Sequence, residues 1–207
     1  MKIKVWNLLI IGCLVIFCGC ATSYKSINLS SRNLNTKLED ENFVFEYSYD
    51  VLENAGNKRY SKKETKNSIK LIAVSITNKT EDEIKVPENI DFYAGAHKVK
   101  LLEPNKYSHL LKQNTISYLL YLLLTPLQLR TGDPYNDPQV IPIGFVLGPG
   151  ITLLNTLTSS SANSKIEKEL IETNILGKII QPGETLCGLI CVENIGYEPL
   201  SIKLNKS

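Results

Sequence analysis

The chain has 207 residues, with 23 Lys and Arg against 21 Asp and Glu. Lys2 and Lys4 fall in a leader, so the 188 residues after residue 19 carry 21 basic and 21 acidic side chains. That balance excludes the clustered net positive charge on which nucleic-acid binding depends, while the length suits one domain with a core, or one domain carrying an insertion. The leader itself is legible. After its two lysines, Val5 to Phe17 is uncharged and mostly apolar, and Gly19-Cys20 closes the run before Thr22-Ser23-Tyr24-Lys25. A basic start, an apolar run of about 7–15 residues and a small residue at its end form a secretory signal, shorter than the ~20 apolar residues a bilayer span takes.

Phe17-Cys18-Gly19-Cys20 resembles the signal of bacterial lipoproteins. The resemblance implies cleavage before Cys20, diacylglycerol on its thiol and acylation of the new amino group. Ile10-Ile11-Gly12-Cys13 is a rival box, but cutting there leaves only about seven apolar residues in the leader, at the bottom of the workable range. With Ala21 rather than Asp after the lipid cysteine, the resemblance implies the outer membrane, and with no acidic residue before Glu39 it implies a domain facing the periplasm.

Residues 20–42 are then a lipidated start and a tether rich in Ser, Asn and Lys, with a short helix expected near 34–41. Residues 43–207 are expected to form the domain. Phe43 to Tyr49 alternates and reads as a strand. Residues 54–67 hold Lys58, Arg59, Lys62, Lys63 and Lys66 and read as a hairpin-like loop, suited to anionic headgroups or simply solvated. A second strand over 69–78 puts Ile72, Val74 and Ile76 on its core side. Residues 83–86, 90–94 and 97–102 read as three further short strands.

Past Pro104 the pattern changes. Residues 113–129 contain no charge, and 116–124 is apolar nearly all round, so a helix there must be covered by protein or lipid on every side. Residues 130–138 form a polar double turn on two Asp-Pro steps. Its Asp133, Asn136 and Asp137 miss the spacing of a calcium loop. Residues 139–164 are again uncharged, with Pro142, Gly144, Gly148, Pro149 and Gly150 arguing against a straight spanning helix. Residues 158–161 read as a hinge, and Ser164 with Glu167 as a capping box opening a helix over 165–176. Strands follow over 184–193 and 200–204. The first of these is apolar on both faces and needs a cover, for which the insertion at about 106–176 is the expected source.

The Pro182-Gly183-Glu184-Thr185 turn entering an apolar strand resembles immunoglobulin-like envelope modules. The expected fold is accordingly mainly β: an immunoglobulin-like antiparallel β-sandwich of about seven strands with an apolar helical insertion.

Catalytic chemistry is not visible. His97 and His109 lack a nucleophile at a recognisable spacing, and no metal-ligand pattern or phosphate-cradling loop accompanies them. Cys187 and Cys191 are four apart; on one strand they stand about 13 Å from each other, beyond the ~7 Å reach of a disulfide, so both are expected as buried thiols. The expectation is a non-enzymatic binding or scaffold lipoprotein without cofactor or metal. Cys20 carries lipid, the membrane and an envelope protein are its partners, and nucleic acid is not. The alternative is a component of a membrane-inserting or translocating assembly that uses 116–157 as an apolar hairpin. In either case Leu119, Leu120, Leu122, Leu123, Phe145 and Leu147 are the side chains expected to contact membrane or protein.

Overall fold

The computed structural model describes residues 20–29, 34–131, 139–193 and 195–205. Residues 1–19, read as a secretory signal, and 132–138, most of the stretch read as a double turn, lie outside the described residues. Helix accounts for 34% and strand for 31% of the fold, so helices and antiparallel sheets share it nearly equally, where the sequence suggests a mainly β protein. Much of the difference lies in two segments read as loop or broken chain, 54–67 and 144–164, both of which are helical.

The strands are β1 (Thr36–Glu39), β2 (Phe43–Ser48), β3 (Ile69–Asn78), β4 (Ile84–Lys85), β5 (Ile90–Ala94), β6 (His97–Val99), β7 (Leu129–Thr131), β8 (Gln139–Ile141), β9 (Ile179–Ile180), β10 (Thr185–Glu193) and β11 (Leu200–Leu204). The helices are α1 (Val51–Asn54), α2 (Lys58–Lys66), α3 (Pro104–Leu111), a 3-10 helix (Ile116–Leu124) and α4 (Gly144–Glu172). They belong to two compact units. One comprises residues 20–23 with Gln113–Asn163; the other comprises Tyr24–Lys112 with Ser164–Ser207.

In the larger unit, β1-β2-β3-β10 form one antiparallel sheet and β11-β5-β6 another, with β4 and β9 paired separately. The alternation of β2 and β3 decides which side chains are enclosed. Phe43, Phe45, Tyr47, Ile72, Val74 and Ile76 join Ile90, Phe92, Leu200 and Ile202 in one buried cluster, where Phe45 meets Phe92 edge to face at 6.3 Å. Phe45 lies opposite Ile76 in the ladder, which fixes the register by matching the large apolar faces.

The second face of β3 and β10 carries Leu71, Ala73, Leu189 and Cys191, all fully buried. Its cover differs from the expected one. α2, built from the stretch read as a loop, and α1 just before it pack on β3. Tyr60 and Glu64, one helical turn apart on α2, are both buried, and Glu64 Oε1 accepts the Leu71 amide at 2.7 Å. From the expected insertion, Tyr107, Leu111, Ile166 and Leu170 are buried in this unit as well, with the Tyr107 hydroxyl donating to the Leu170 carbonyl at 3.5 Å. Residues 113–163, whose runs 113–129 and 139–163 are uncharged, belong to the other unit and are not part of this core.

Four further expectations are corrected. Residues 36–39 are a strand rather than a helix; Lys37 and Glu39 pair at 3.3 Å there, putting charge on the sheet's edge, where it discourages further pairing. The proposed tether is docked over part of its length, with Tyr24 and Ile27 buried. Cys187 is exposed while Cys191 is buried: Cys187 lies opposite Ser75, past the end of the helical cover, with its Sγ 3.4 Å from Ser75 Oγ. Finally, α4 runs unbroken through Pro149, the supposed hinge and Ser164. Pro149 sits within the first two turns and removes only one intrahelical donor. Ser159 turns its hydroxyl back on the helix, donating to the Thr156 carbonyl at 3.2 Å. With the helix already running, Ser164 and Glu167 have no free end to cap.

Candidate membrane-facing unit

The smaller unit is assembled from the 3-10 helix, the β7–β8 hairpin and the first part of α4, to which residues 20–23 attach. The sequence dictates its local packing through glycine. A Cβ on Gly144 would strike the carbonyls of Leu124 and Thr125, and one on Gly148 would come 2.6 Å from Thr125 Oγ1. Backbone therefore approaches backbone closely, and the Gly144 amide donates to the Leu127 carbonyl at 2.9 Å.

Along α4 the buried positions are Gly144, Gly148, Thr152, Asn155, Ser159, Ala162, Ile166 and Leu170. They recur every three or four residues and mark one helical face. On the Ile166 and Leu170 portion the polarity is ordinary, apolar within. Over Gly144–Ser159 it is inverted: glycine, hydroxyl and amide side chains face in, while Phe145, Val146, Leu153, Leu154 and Leu157 are exposed, Val146 to 75%. The 3-10 helix has the same inversion. Tyr118 and Tyr121, three apart, are buried and stacked at 6.5 Å, and Ile116, Leu119, Leu120, Leu122 and Leu123 are exposed.

Of the eighteen large apolar side chains exposed among the described residues, fourteen lie between Ile116 and Leu157. All six of the apolar contact residues expected from sequence, Leu119, Leu120, Leu122, Leu123, Phe145 and Leu147, are among them. Ile116, Leu127, Val140, Ile141, Val146, Leu153, Leu154 and Leu157 extend the set beyond the sequence reading. The described protein does not cover this apolar helix, which leaves the lipid half of the expectation open to test.

Apart from the buried Thr156 hydroxyl, which has no partner among the described residues, the polar interior is bonded internally. Thr152 Oγ1 donates to the Tyr118 carbonyl at 3.3 Å, and the Ser159 and Thr115 hydroxyls lie within hydrogen-bond distance at 3.2 Å. Asn163 exchanges two bonds with the Gln113 backbone, at 2.7 and 2.9 Å. Gln113 in turn accepts the Thr22 amide at 3.2 Å and donates to the Thr22 carbonyl at 2.7 Å, while Asn155 Oδ1 accepts the Ala21 amide at 2.6 Å. Two side-chain amides thus hold the backbone just after Cys20, which is itself exposed, on the inverted unit. Sequence reasoning missed Gln113, Asn155 and Asn163; the available signal was three carboxamides embedded in charge-free chain, where an amide needs a specific partner.

Among the described residues no helix is long and apolar enough to cross a membrane. The apolar part of α4, residues 144–157, would reach about 21 Å against the ~30 Å of a hydrocarbon core. The larger unit holds a separate cleft of about 770 Å³ beside β5 and β6, lined by Ile90, Phe92, Val99 and Leu101 with Lys98 and Glu103. His97 and His109 are exposed on β6 and α3. No family model, curated protein or solved structure matches the chain.

Proposed function

We propose that this chain is a lipid-anchored protein of the bacterial envelope, without enzymatic activity, whose smaller unit lies in the bilayer interface and whose larger unit serves as a binding or scaffold module. The reading rests on one observation, the inverted polarity of residues 113–163. In water, apolar side chains turn inward; in lipid the tails solvate them, and helices pack through glycine and hydroxyl-bearing residues with their polar groups bonded to each other. A contiguous exposed apolar face marks a site of contact with protein or membrane.

Acylation of Cys20 suits the same reading. One acyl chain holds a protein only marginally, whereas the diacylglycerol and amino-terminal acyl chain of a lipoprotein hold it firmly, and the apolar face adds to that hold beside the point where Ala21 and Thr22 are clamped. The reach of α4 favours lying on the membrane over spanning it. The two packed sheets are then the immunoglobulin-like module, placed at the outer membrane facing the periplasm, with the β5–β6 cleft as the place for an envelope partner. The exposure of 116–157 also suits the alternative of an inserting assembly, in which Arg130, exposed in β7, would be shielded from trypsin in liposomes.

The test uses a Cys20→Ala chain exported on a leader cut by the ordinary signal peptidase. It should stay with membranes until Phe145→Asp and Leu154→Asp are added. Release by Cys20→Ala alone would remove the membrane role of the apolar face. Retention of the triple variant after a carbonate wash would contradict both parts.

A further inference from the structure

Helix α2 carries its charge in an arrangement that costs it stability. Lys58, Lys62 and Lys66 recur at every fourth position and are exposed, while Tyr60 and Glu64 turn inward. Like charges four apart on a helix repel, and Lys58 with Arg59 in the first turn also oppose the helix dipole. The lysines find no ion-pair relief among the described residues: Glu64 is buried on the other face, Glu53 of α1 accepts from the Ser61 hydroxyl at 3.3 Å, and Lys58, Lys62, Lys63 and Lys66 form no ion pair there. Lys63 shows the crowding, its ammonium held below the ordinary lysine range by burial and then by Lys66 and Arg59.

Lys25 extends this surface. Its amide donates to Asn57 Oδ1 at 2.9 Å and its carbonyl accepts from Asn57 Nδ2 at 2.6 Å, which places the Lys25 ammonium beside Gly56 just ahead of α2. Lys25 follows Cys20 by five residues, and that length of extended chain reaches at most about 17 Å. An acylated Cys20 therefore keeps this lysine close to a bilayer surface.

We propose that the outer face of α2, together with Lys25, binds the phosphate groups of anionic lipids in the bilayer that anchors Cys20. The inference rests on the anchored reading above for its choice of a membrane over a soluble polyanion. Headgroup phosphates neutralise the lysine ladder, and each lysine near an anionic surface is worth about a fivefold gain in binding.

The experiment floats the Cys20→Ala chain, exported as above, with vesicles of phosphatidylcholine alone and of an equal phosphatidylcholine–phosphatidylglycerol mixture. The apolar unit accounts for binding to neutral vesicles, and α2 for the anionic increment. Exchanging Lys58, Lys62 and Lys66 for Gln, all solvent-facing, should lower binding to the mixed vesicles about a hundredfold at low salt and leave binding to neutral vesicles as it was. An increment that survives the exchange, or no increment in the parent chain, overturns the proposal. Loss of the vesicle increment to inorganic polyphosphate at concentrations where sulfate has no effect would also overturn it, in favour of a soluble polyanion. Absence of binding to neutral vesicles with the increment intact would instead defeat the apolar-face reading and leave this one standing.

Discussion

Glu64 is 3% exposed and sits in a lysine-rich run that reads as solvated chain. Its carboxyl is pushed up to about 7, chiefly by burial; Asp50 and Glu53 add to the effect, and the Leu71 amide and Lys70 oppose it. The folded chain thus holds this proton more tightly than the unfolded one. The contribution to stability is full below the unfolded value of 4.5 and is lost as pH rises through about 7, with an upper bound of about 3 kcal/mol. Glu64→Gln keeps an acceptor for Leu71 and removes the titration. Urea unfolding of the two chains should therefore give similar stability near pH 4, and the variant should be the more stable near pH 8. Parallel profiles across that range would contradict the buried, proton-holding role. The two cysteines teach the same lesson about single residues. Both belong to one apolar strand, yet Cys191 is buried near Glu64 of α2 and Tyr107 of α3, its thiol held far above the ordinary range by burial, while Cys187 is exposed.

At the scale of elements, the strands were legible. β2, β3, β5, β10 and β11 fall where alternation and turn residues place them, because side-chain period and burial agree there. The helices were less so. α2 has only Tyr60 and Glu64 to mark its inner face, and a single aromatic with a carboxylate does not make an apolar stripe. α4 was obscured by its own inversion: its inward residues are the breakers and hydroxyls that ordinarily signal turns. Gly144 tests this packing directly. In Gly144→Ala the methyl group meets backbone carbonyls that cannot yield as a flexible side chain would, so the variant should lose about 1–3 kcal/mol. Hydrogen exchange should show the loss in residues 116–160 while β3 and β10 stay protected. Unchanged protection in 116–160 would mean that the close helix approach is not needed.

Across the whole molecule, two chemistries divide the chain. Residues 24–112 with 164–205 bury apolar side chains between sheets and under helices, as a body in water does. Residues 113–163 enclose amides, hydroxyls and two tyrosines, and expose Leu, Val, Ile and Phe. The sequence showed two uncharged runs in that stretch, 113–129 and 139–163, and named six of its exposed side chains, but assigned the stretch first to covering a sheet and only second to a membrane. Composition alone does not distinguish an apolar segment wrapped by protein from one presented to lipid; the direction in which its few polar residues point does. The only tryptophan in the chain is Trp6, which the proposed signal cleavage removes, so Phe145→Trp in a chain starting at residue 20 gives a single tryptophan on the inverted face. Added to vesicles whose acyl chains are brominated, this variant should shift its emission to the blue and lose intensity to the bromines. Emission that stays at its aqueous wavelength and is not quenched would contradict a lipid-facing unit.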